Sequence, residues 1–272
     1  MTPVDKSKPN NARMYDYWLG GTHNYPADRA AADAVRARRP NIADQALDNK
    51  KFQTRAVSFA AARGVRQFLD IGSGLPTSPG HAAGARPLWL ATHDAARSVV
   101  PDAVVAYVDD DPVAVQQSRA LLAGGSPQVV AVAGDVRDPQ AILADDEIRA
   151  AGFRLDQPAC VILACILHFL DAQAAQGVAH SLVQALAPGS YVAISVGYAP
   201  GPAGDDFARA YNAQDGPRIY AHSEDEITAM FDGLELLPPG LVDAAFWRAE
   251  RPARTPADGT SMILAGVGRK PA

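Results

Sequence analysis

The stretch FLDIGSGLPT, residues 68–77, decides how the chain is read. An apolar run reaches Asp70, and Gly72 and Gly74 follow one residue apart. Glycine lets a strand end in a sharp turn and lets a ligand lie against the main chain. In an open parallel sheet, ligands collect at the carboxyl ends of the strands, near the topological switch point. Asp70, Gly72 and Gly74 are therefore candidates to contact a small molecule. A dinucleotide needs a third glycine at the sixth position and a helix that starts at once beneath its pyrophosphate. Here the sixth position is Thr77, and Pro76, Pro79 and Gly80 put off any helix until about Leu88.

Working outward, the pattern alternates. Upstream, residues 26–38 read as a helix closed by Pro40, and residues 41–62 as a longer amphipathic helix ended by Gly64. Residues 1–12 are polar and are expected to be mobile. Downstream, strands are expected at 104–108, 129–132, 159–165 and 191–196, with helices at 112–122 and 174–187. The fully apolar strand at 159–165 implies burial on both faces. Strands alternating with helices imply right-handed crossovers and a parallel sheet covered on both sides. After residue 200 the texture changes. Helices are expected at 205–213 and 223–231, the second opened by a capping box of Ser223 and Glu226. Strands are expected at 234–237, 241–247 and 261–267, which suggests an antiparallel hairpin on the sheet edge.

Bulk properties narrow the function. The chain has 272 residues, 48% of them hydrophobic, enough for one large domain with additions. Its net charge of -5 argues against a nucleic-acid partner, which needs a basic face. The densest basic cluster, Arg36, Arg38 and Arg39, reads as a solvated helix end. Cys160 and Cys165 share one apolar stretch and read as core residues, and no four-ligand Cys/His spacing suggests a structural metal. No run of about 18 apolar residues could span a membrane. A polar N-terminus without a signal peptide makes the cytoplasm the expected compartment. The Ala-rich, Arg-over-Lys usage has the style of a GC-rich bacterial genome.

Three carboxylates at successive strand ends point to the ligand. Asp70 suits the ammonium of an amino-acid head. Asp109, after the second strand, can accept from two vicinal ribose hydroxyls. Asp110, counted with the cofactor-binding residues, and Asp111 also suit a turn and a helix cap before Pro112. Asp135, after the third strand, can accept from an adenine amine, with Val136 against the ring. S-adenosylmethionine (SAM) has all these parts and no pyrophosphate.

The chain resembles the class I, Rossmann-like SAM-dependent methyltransferases over about residues 65–200. More narrowly, NARMYDYWLGGTHNYPADR, FLDIGSGLPT, YVDDDPV, DVRDPQAIL, LHFLD, LAPGSYVAIS and FDGLELLPPGLV are similar to an actinobacterial S-adenosyl methyltransferase family once catalogued as a domain of unknown function. That resemblance covers nearly the whole chain and implies SAM as cofactor. It implies a doubly wound, mostly parallel seven-stranded sheet with an antiparallel edge hairpin, plus an N-terminal helical lid. The expected division is a lid segment at 1–64 and a SAM-binding domain at 65–272. Where the family carries Gly-Gly-Lys-Asp-Asn, this chain has Gly20-Gly21-Thr22-His23-Asn24, and the segment from Thr77 to Leu88 looks long.

Further candidates follow. Tyr15, Tyr17 and Trp18 either dock a first helix or form the lid over the sulfonium, whose charge attracts aromatic faces. Gly21 would make a tight turn, and Asn24 would bond ligand or backbone. His168, after the fourth strand, is the candidate catalytic base, or else a packed residue. Tyr198, Tyr211, Tyr220, His222 and Trp247 could line an acceptor pocket or simply pack. The expected function is methyl transfer from SAM to a small-molecule acceptor. The alternatives are non-methyl chemistry on SAM such as cyclisation, SAM as a non-reacting ligand, and an NAD-dependent oxidoreductase. The gap of ~35 residues from Gly74 to Asp109, against about 20, counts against the last.

Overall fold

The computed structural model describes residues 5–77, 88–198, 218–250 and 263–272, with helical positions 206, 208, 209, 211 and 212. Three helices come first: α1 (Asn11–Trp18), α2 (Pro26–Arg38) and α3 (Ile42–Ala61). Five strands then run parallel: β1 (Gln67–Ile71), β2 (Val104–Asp109), β3 (Val129–Ala133), β4 (Cys160–Ala164) and β5 (Tyr191–Gly197). Between them lie α4 (Thr92–Arg97), α5 (Pro112–Leu122), α6 (Pro139–Ala144), α7 (Asp146–Ala150), a 3₁₀ turn (Leu167–Phe169) and α8 (Ala172–Ala185). The chain closes with α9 (Glu224–Ala229), β6 (Glu235–Leu236), β7 (Val242–Asp243) and β8 (Ile263–Arg269).

Strand order is β3-β2-β1-β4-β5-β8-β6, so the winding direction reverses between β1 and β4. This is the doubly wound α/β fold expected. Alternation within each strand feeds two cores. Leu69, Val108, Leu163 and Ile194 pack under α8, while Phe68, Tyr107 and Ile162 pack against α3 and α4. All five residues of β1 are buried, as a sheet covered on both faces requires.

Local sequence sets the helix starts. Asp111 caps α5 by accepting from Val113 N at 2.8 Å, with Pro112 in the first turn. Asp171 caps α8 through Ala174 N at 2.8 Å, which starts that helix two residues before the expected 174. Ser223 and Glu226 form the capping box.

Three expectations change. Residues 11 and 12 are not a mobile tail but the first turn of α1, capped by Asn10 through Arg13 N at 3.0 Å. The helix expected after Thr77 starts at Thr92, and residues 78–87 lie outside the described residues, as do 261 and 262 of the last expected strand. The hairpin partner expected at 241–247 pairs over only two residues, and β6 and β7 lie one after the other along β8. The cause is a turn: Asp243 takes Ala245 N on its side chain at 2.7 Å and Phe246 N on its carbonyl at 2.8 Å. Trp247 then enters the core, edge-on to Phe52 and Phe59 with ring centroids at 5.6 and 5.5 Å. Arg55 of α3 donates to the carbonyls of Ala244 and Trp247, both at 2.6 Å. Helix α3 therefore covers the sheet, and α1 with α2 forms a separate small cluster around Met14, Ala32 and Val35.

Trp247→Ala should remove about 3–5 kcal/mol of stability, the usual cost of emptying a large core position. Urea unfolding followed by circular dichroism checks this; a loss below about 1 kcal/mol would show the C-terminal turn to be no part of the core.

Candidate active site

A cavity of about 560 Å³ opens at the carboxyl ends of the parallel strands, lined above by residues of α1 and α2 and by Ala208, Tyr211 and residues 218–221. It is of the size that holds a small molecule. Its floor is the loop after β1. Gly72 has φ +68°, and a Cβ there would sit 2.5 Å from the Ile166 side chain, which follows β4. The loop and β4 therefore meet at the switch point with no room for a side chain. Gly72 N and Ser73 N donate to Val108 O at 2.8 and 3.1 Å.

Asp109 holds this loop to the next. Its Oδ2 accepts from Gly74 N at 2.8 Å and its Oδ1 from Asp111 N at 3.0 Å. Burial pushes its carboxyl up to about 6, against the pull of those two N–H groups and with a further push from Asp110 and Asp111. Asp110 is exposed at the cavity wall, and its pKa is raised by partial desolvation, then by Asp135 and Asp111. Asp135 reaches the cavity already paired with Arg137, whose Nε lies 2.9 Å from both oxygens, and this pair holds its carboxyl below the ordinary value. Val136 lines the same wall.

Asp70 lies deeper, on the α3 side of the sheet. Its Oδ2 accepts from Thr92 Oγ1 at 2.6 Å and Gln53 Nε2 at 2.7 Å. Burial raises its pKa, and Lys50 opposes that. Lys50, which the motif reading missed, donates to Gln53 Oε1 at 3.1 Å and has no other hydrogen-bond partner among the described residues. Its ammonium lies 5.9 and 5.8 Å from the ring centroids of Tyr15 and Trp89 and lines the cavity. Burial lowers its pKa while Asp70 and Cys165 raise it. A half-buried cation with N–H groups to spare beside a buried acid suits a zwitterionic head. The available signal was polar Asn49 and Gln53 on the inward stripe of α3, both nearly fully buried.

Tyr15 lines the cavity, but its hydroxyl is spent on Ala46 O at 3.0 Å and Asn49 Nδ2 at 2.9 Å. Gly21 and Asn24, expected to touch the ligand, do not line the cavity. They enclose Asp16 instead. A Cβ on Gly21 would fall 2.0 Å from Asp16 Oδ1, and Asp16 Oδ2 accepts from His23 N at 2.8 Å and Asn24 Nδ2 at 2.9 Å. Arg39, expected in a solvated helix end with Arg36 and Arg38, lines the cavity.

His168 faces the cavity, but not as a base. Gly197 N–H donates to its Nδ1 at 3.3 Å, which leaves the neutral ring's proton on Nε2. Burial, then His222 and Arg39, lower its pKa to about 4. Its lone pair is taken and Nε2 can only donate. Tyr198, Tyr211 and Tyr220 share this end of the cavity. His222 is buried against Leu167 O at 3.4 Å, and Trp247 is core. Cys160 is buried, while Cys165, at φ +55°, touches the cavity with its thiol pushed up to about 12 by burial.

A glycine loop at the switch point, an acid at each of three strand ends and a roof of helices define a class I SAM-binding α/β protein. The comparisons say which one. A family described as S-adenosyl methyltransferase matches residues 1–271, and the chain belongs to that family. It is similar to a protein of Thermobifida fusca YX described as a candidate methyltransferase, at 38% identity and TM-score 0.88, covering 98% of this chain and 97% of that one. It is likewise similar to a duf574 family protein of Streptomyces avermitilis MA-4680, at 35% identity and TM-score 0.85, covering 99% and 100%. The N-methyltransferase NodS of Bradyrhizobium japonicum WM9, solved with S-adenosyl-L-homocysteine, shares the fold at 13% identity and TM-score 0.51, covering 97% and 100%. No match was found among curated proteins. The family's cofactor is SAM, and the donor and acceptor groups around the cavity fit it. Among the described residues no helix is long and apolar enough to cross a membrane, and no cluster of His, Cys, Asp and Glu is suited to a metal.

The raised pKa of Asp109 gives a pH dependence. The folded protein holds this proton more tightly than the unfolded chain, so the group takes stability away as pH rises from 3.8 to about 6. A ligand that donates to the ionised form binds better above that range. S-adenosylhomocysteine (SAH) affinity should therefore fall as pH drops through about 6, and Asp109→Asn should bind weakly with little pH dependence, by calorimetry between pH 5 and 8. Gly72→Ala should lose most SAH binding, since the new methyl meets Ile166 and φ is left-handed; near-normal affinity in a folded variant would refute the close approach.

Proposed function

We propose that the protein transfers the methyl group of SAM to a small-molecule acceptor. One observation carries this: a single cavity joins the glycine-and-acid floor to an aromatic compartment beside His168. When bound, SAM supplies an electrophilic methyl carbon. The chain's part is to hold both reactants in line and keep water out. In this reading Asp109 accepts from the ribose hydroxyls, and Asp135 with Val136 takes the adenine. Asp70 accepts from the amino group, and Lys50 donates to the carboxylate. Gly72 and Gly74 let the chain lie close. Helices α1 and α2 of the 1–64 segment act as the lid over the 65–272 domain. Tyr15 and Trp18 form the cavity side of that lid, and Gly21 and Asn24 shape it through Asp16 rather than by touching ligand.

We place the reaction in the cytoplasm, where unpaired Cys160 and Cys165 stay reduced. Nothing in the fold or the comparisons favours non-methyl chemistry on SAM, a purely structural SAM site or a nicotinamide cofactor.

Incubation with methyl-labelled SAM and a panel of acceptors should yield SAH and a labelled acceptor. Methylthioadenosine as the product would rule out simple methyl transfer. Lys50→Met should weaken SAH by roughly 1.5–3 kcal/mol, the scale of a charge-assisted hydrogen bond. It should leave decarboxylated SAH nearly unaffected; an equal loss for both ligands would remove Lys50 from the carboxylate.

A further inference from the structure

We propose that α1 and α2 move as one rigid hairpin about residues 39–41, that SAM and SAH exchange only when it lifts, and that the bond from Asn10 to Asp111 is its latch. This rests on the cofactor and the lid of the reading above, and is independent of the acceptor.

The hairpin holds itself together. Asp28 of α2 is fully buried and gathers three donors: Arg13 Nε and Tyr25 N, both at 2.7 Å, and Asn10 N at 2.9 Å. Asn10 is the cap of α1, so the starts of both helices close on one carboxylate. Trp18 Nε1 adds a bond to Ala32 O at 3.3 Å. Met14, Ala32 and Val35 form a core separate from the two on the sheet. A unit that keeps its own ion pair and apolar contacts can shift without exposing the core of the sheet.

The hairpin also rests on the cofactor loops. Ala12 lies over the glycine loop, where a Cβ on Gly74 would come 3.5 Å from its own Cβ. Asn10 Nδ2 donates to Asp111 Oδ2, and Asp111 N donates in turn to Asp109. Further along α1, the Tyr15 hydroxyl donates to Ala46 O at 3.0 Å and accepts from Asn49 Nδ2 at 2.9 Å. These two ties end beside Asp109 and Lys50, the groups assigned to the ribose and the carboxylate. A third tie, from the Tyr211 hydroxyl to Asn11 Oδ1 at 3.2 Å, steadies the start of α1. The cavity runs between α1 and the glycine loop. A ligand held against Gly72, Gly74 and Asp109 is therefore covered by a seated α1.

The joint is short. Arg38 ends α2 and Ile42 begins α3, and Arg39 between them leaves the helical region at φ −139°, ψ 79°. A few residues at the ends of elements are what absorbs the rotation of a lid, and such motions run in microseconds to milliseconds. Lifting this hairpin breaks a small set of side-chain hydrogen bonds and no strand pairing.

The test uses Asn10→Ser and Asn10→Asp. Serine and aspartate cap a helix about as well as asparagine, so α1 keeps its start. Neither can replace the amide that donates to Asp111, and aspartate sets a second carboxylate against it. Stopped-flow mixing with SAH is followed by tryptophan fluorescence, since Trp18 lines the cavity. Association and dissociation rate constants should rise together, by about threefold to tenfold, the scale of one lost hydrogen bond. The Kd and the melting temperature should hardly change. Tyr15→Phe, which cuts the other tie, should also speed both rates and keeps the test available if the position-10 variants misfold. Wild-type rates in the folded variants would overturn the proposal. So would a rise in dissociation alone with a matching rise in Kd, because Asn10 would then hold the ligand and not the hairpin. Failure of the wild type to bind SAH would instead sink the SAM reading, and this proposal with it.

Discussion

The carboxylate of Asp109 joins the two loops on which the site is built. One oxygen takes the N–H of Gly74 and the other that of Asp111, so the turn after β1 and the start of α5 share one anchor. Asp111 in turn bonds Asn10, the cap of α1, and Asn10 N reaches Asp28 at 2.9 Å. Asp28 is fully buried and paired with Arg13 Nε at 2.7 Å. A chain of acids and their donors therefore runs from the sheet into the roof. Such an arrangement stands only if each buried charge keeps its partner, because an unpaired one is costly to leave in place.

Much of this was legible in the sequence. FLDIGSG reads as a strand and a close-approach loop, and Pro112 and Ser223 announce helix starts that the structure shows at Pro112 and Glu224. These signals are local, and local chemistry decides them. The edge strands were less legible, because residues 241–247 have the composition of a strand while the Asp243 turn breaks the ladder. Whether Trp247 faces a neighbouring strand or a helix depends on α3, nearly two hundred residues away, and on the reach of Arg55.

Side-chain roles were harder still. His168 looks like a base in one dimension; the N–H of Gly197, from a different strand, turns it into a donor. Asn24 looks like a ligand contact until Asp16 and Arg29 occupy both ends of its amide, at 2.9 and 3.0 Å. Lys50 sits in a polar helical run and Arg39 just past the end of α2, where nothing nearby marks them as inward. Facing direction is fixed by helix phase against the sheet, so charged residues beside a buried polar stripe are where sequence reading falls short.

The divided outer strand has a bearing on behaviour in solution. An unpaired sheet edge offers a row of N–H and C=O groups to any other extended chain. Among the described residues that border is two segments of two residues each, β6 and β7, separated by Leu237–Leu241 and set at different heights along β8. Neither segment is long enough to seat a foreign strand in register. Glu235, with Arg269 nearby at 3.9 Å, adds charge to the border. The interruption acts as a built-in guard against edge-to-edge self-association, at the side of the sheet farthest from β3.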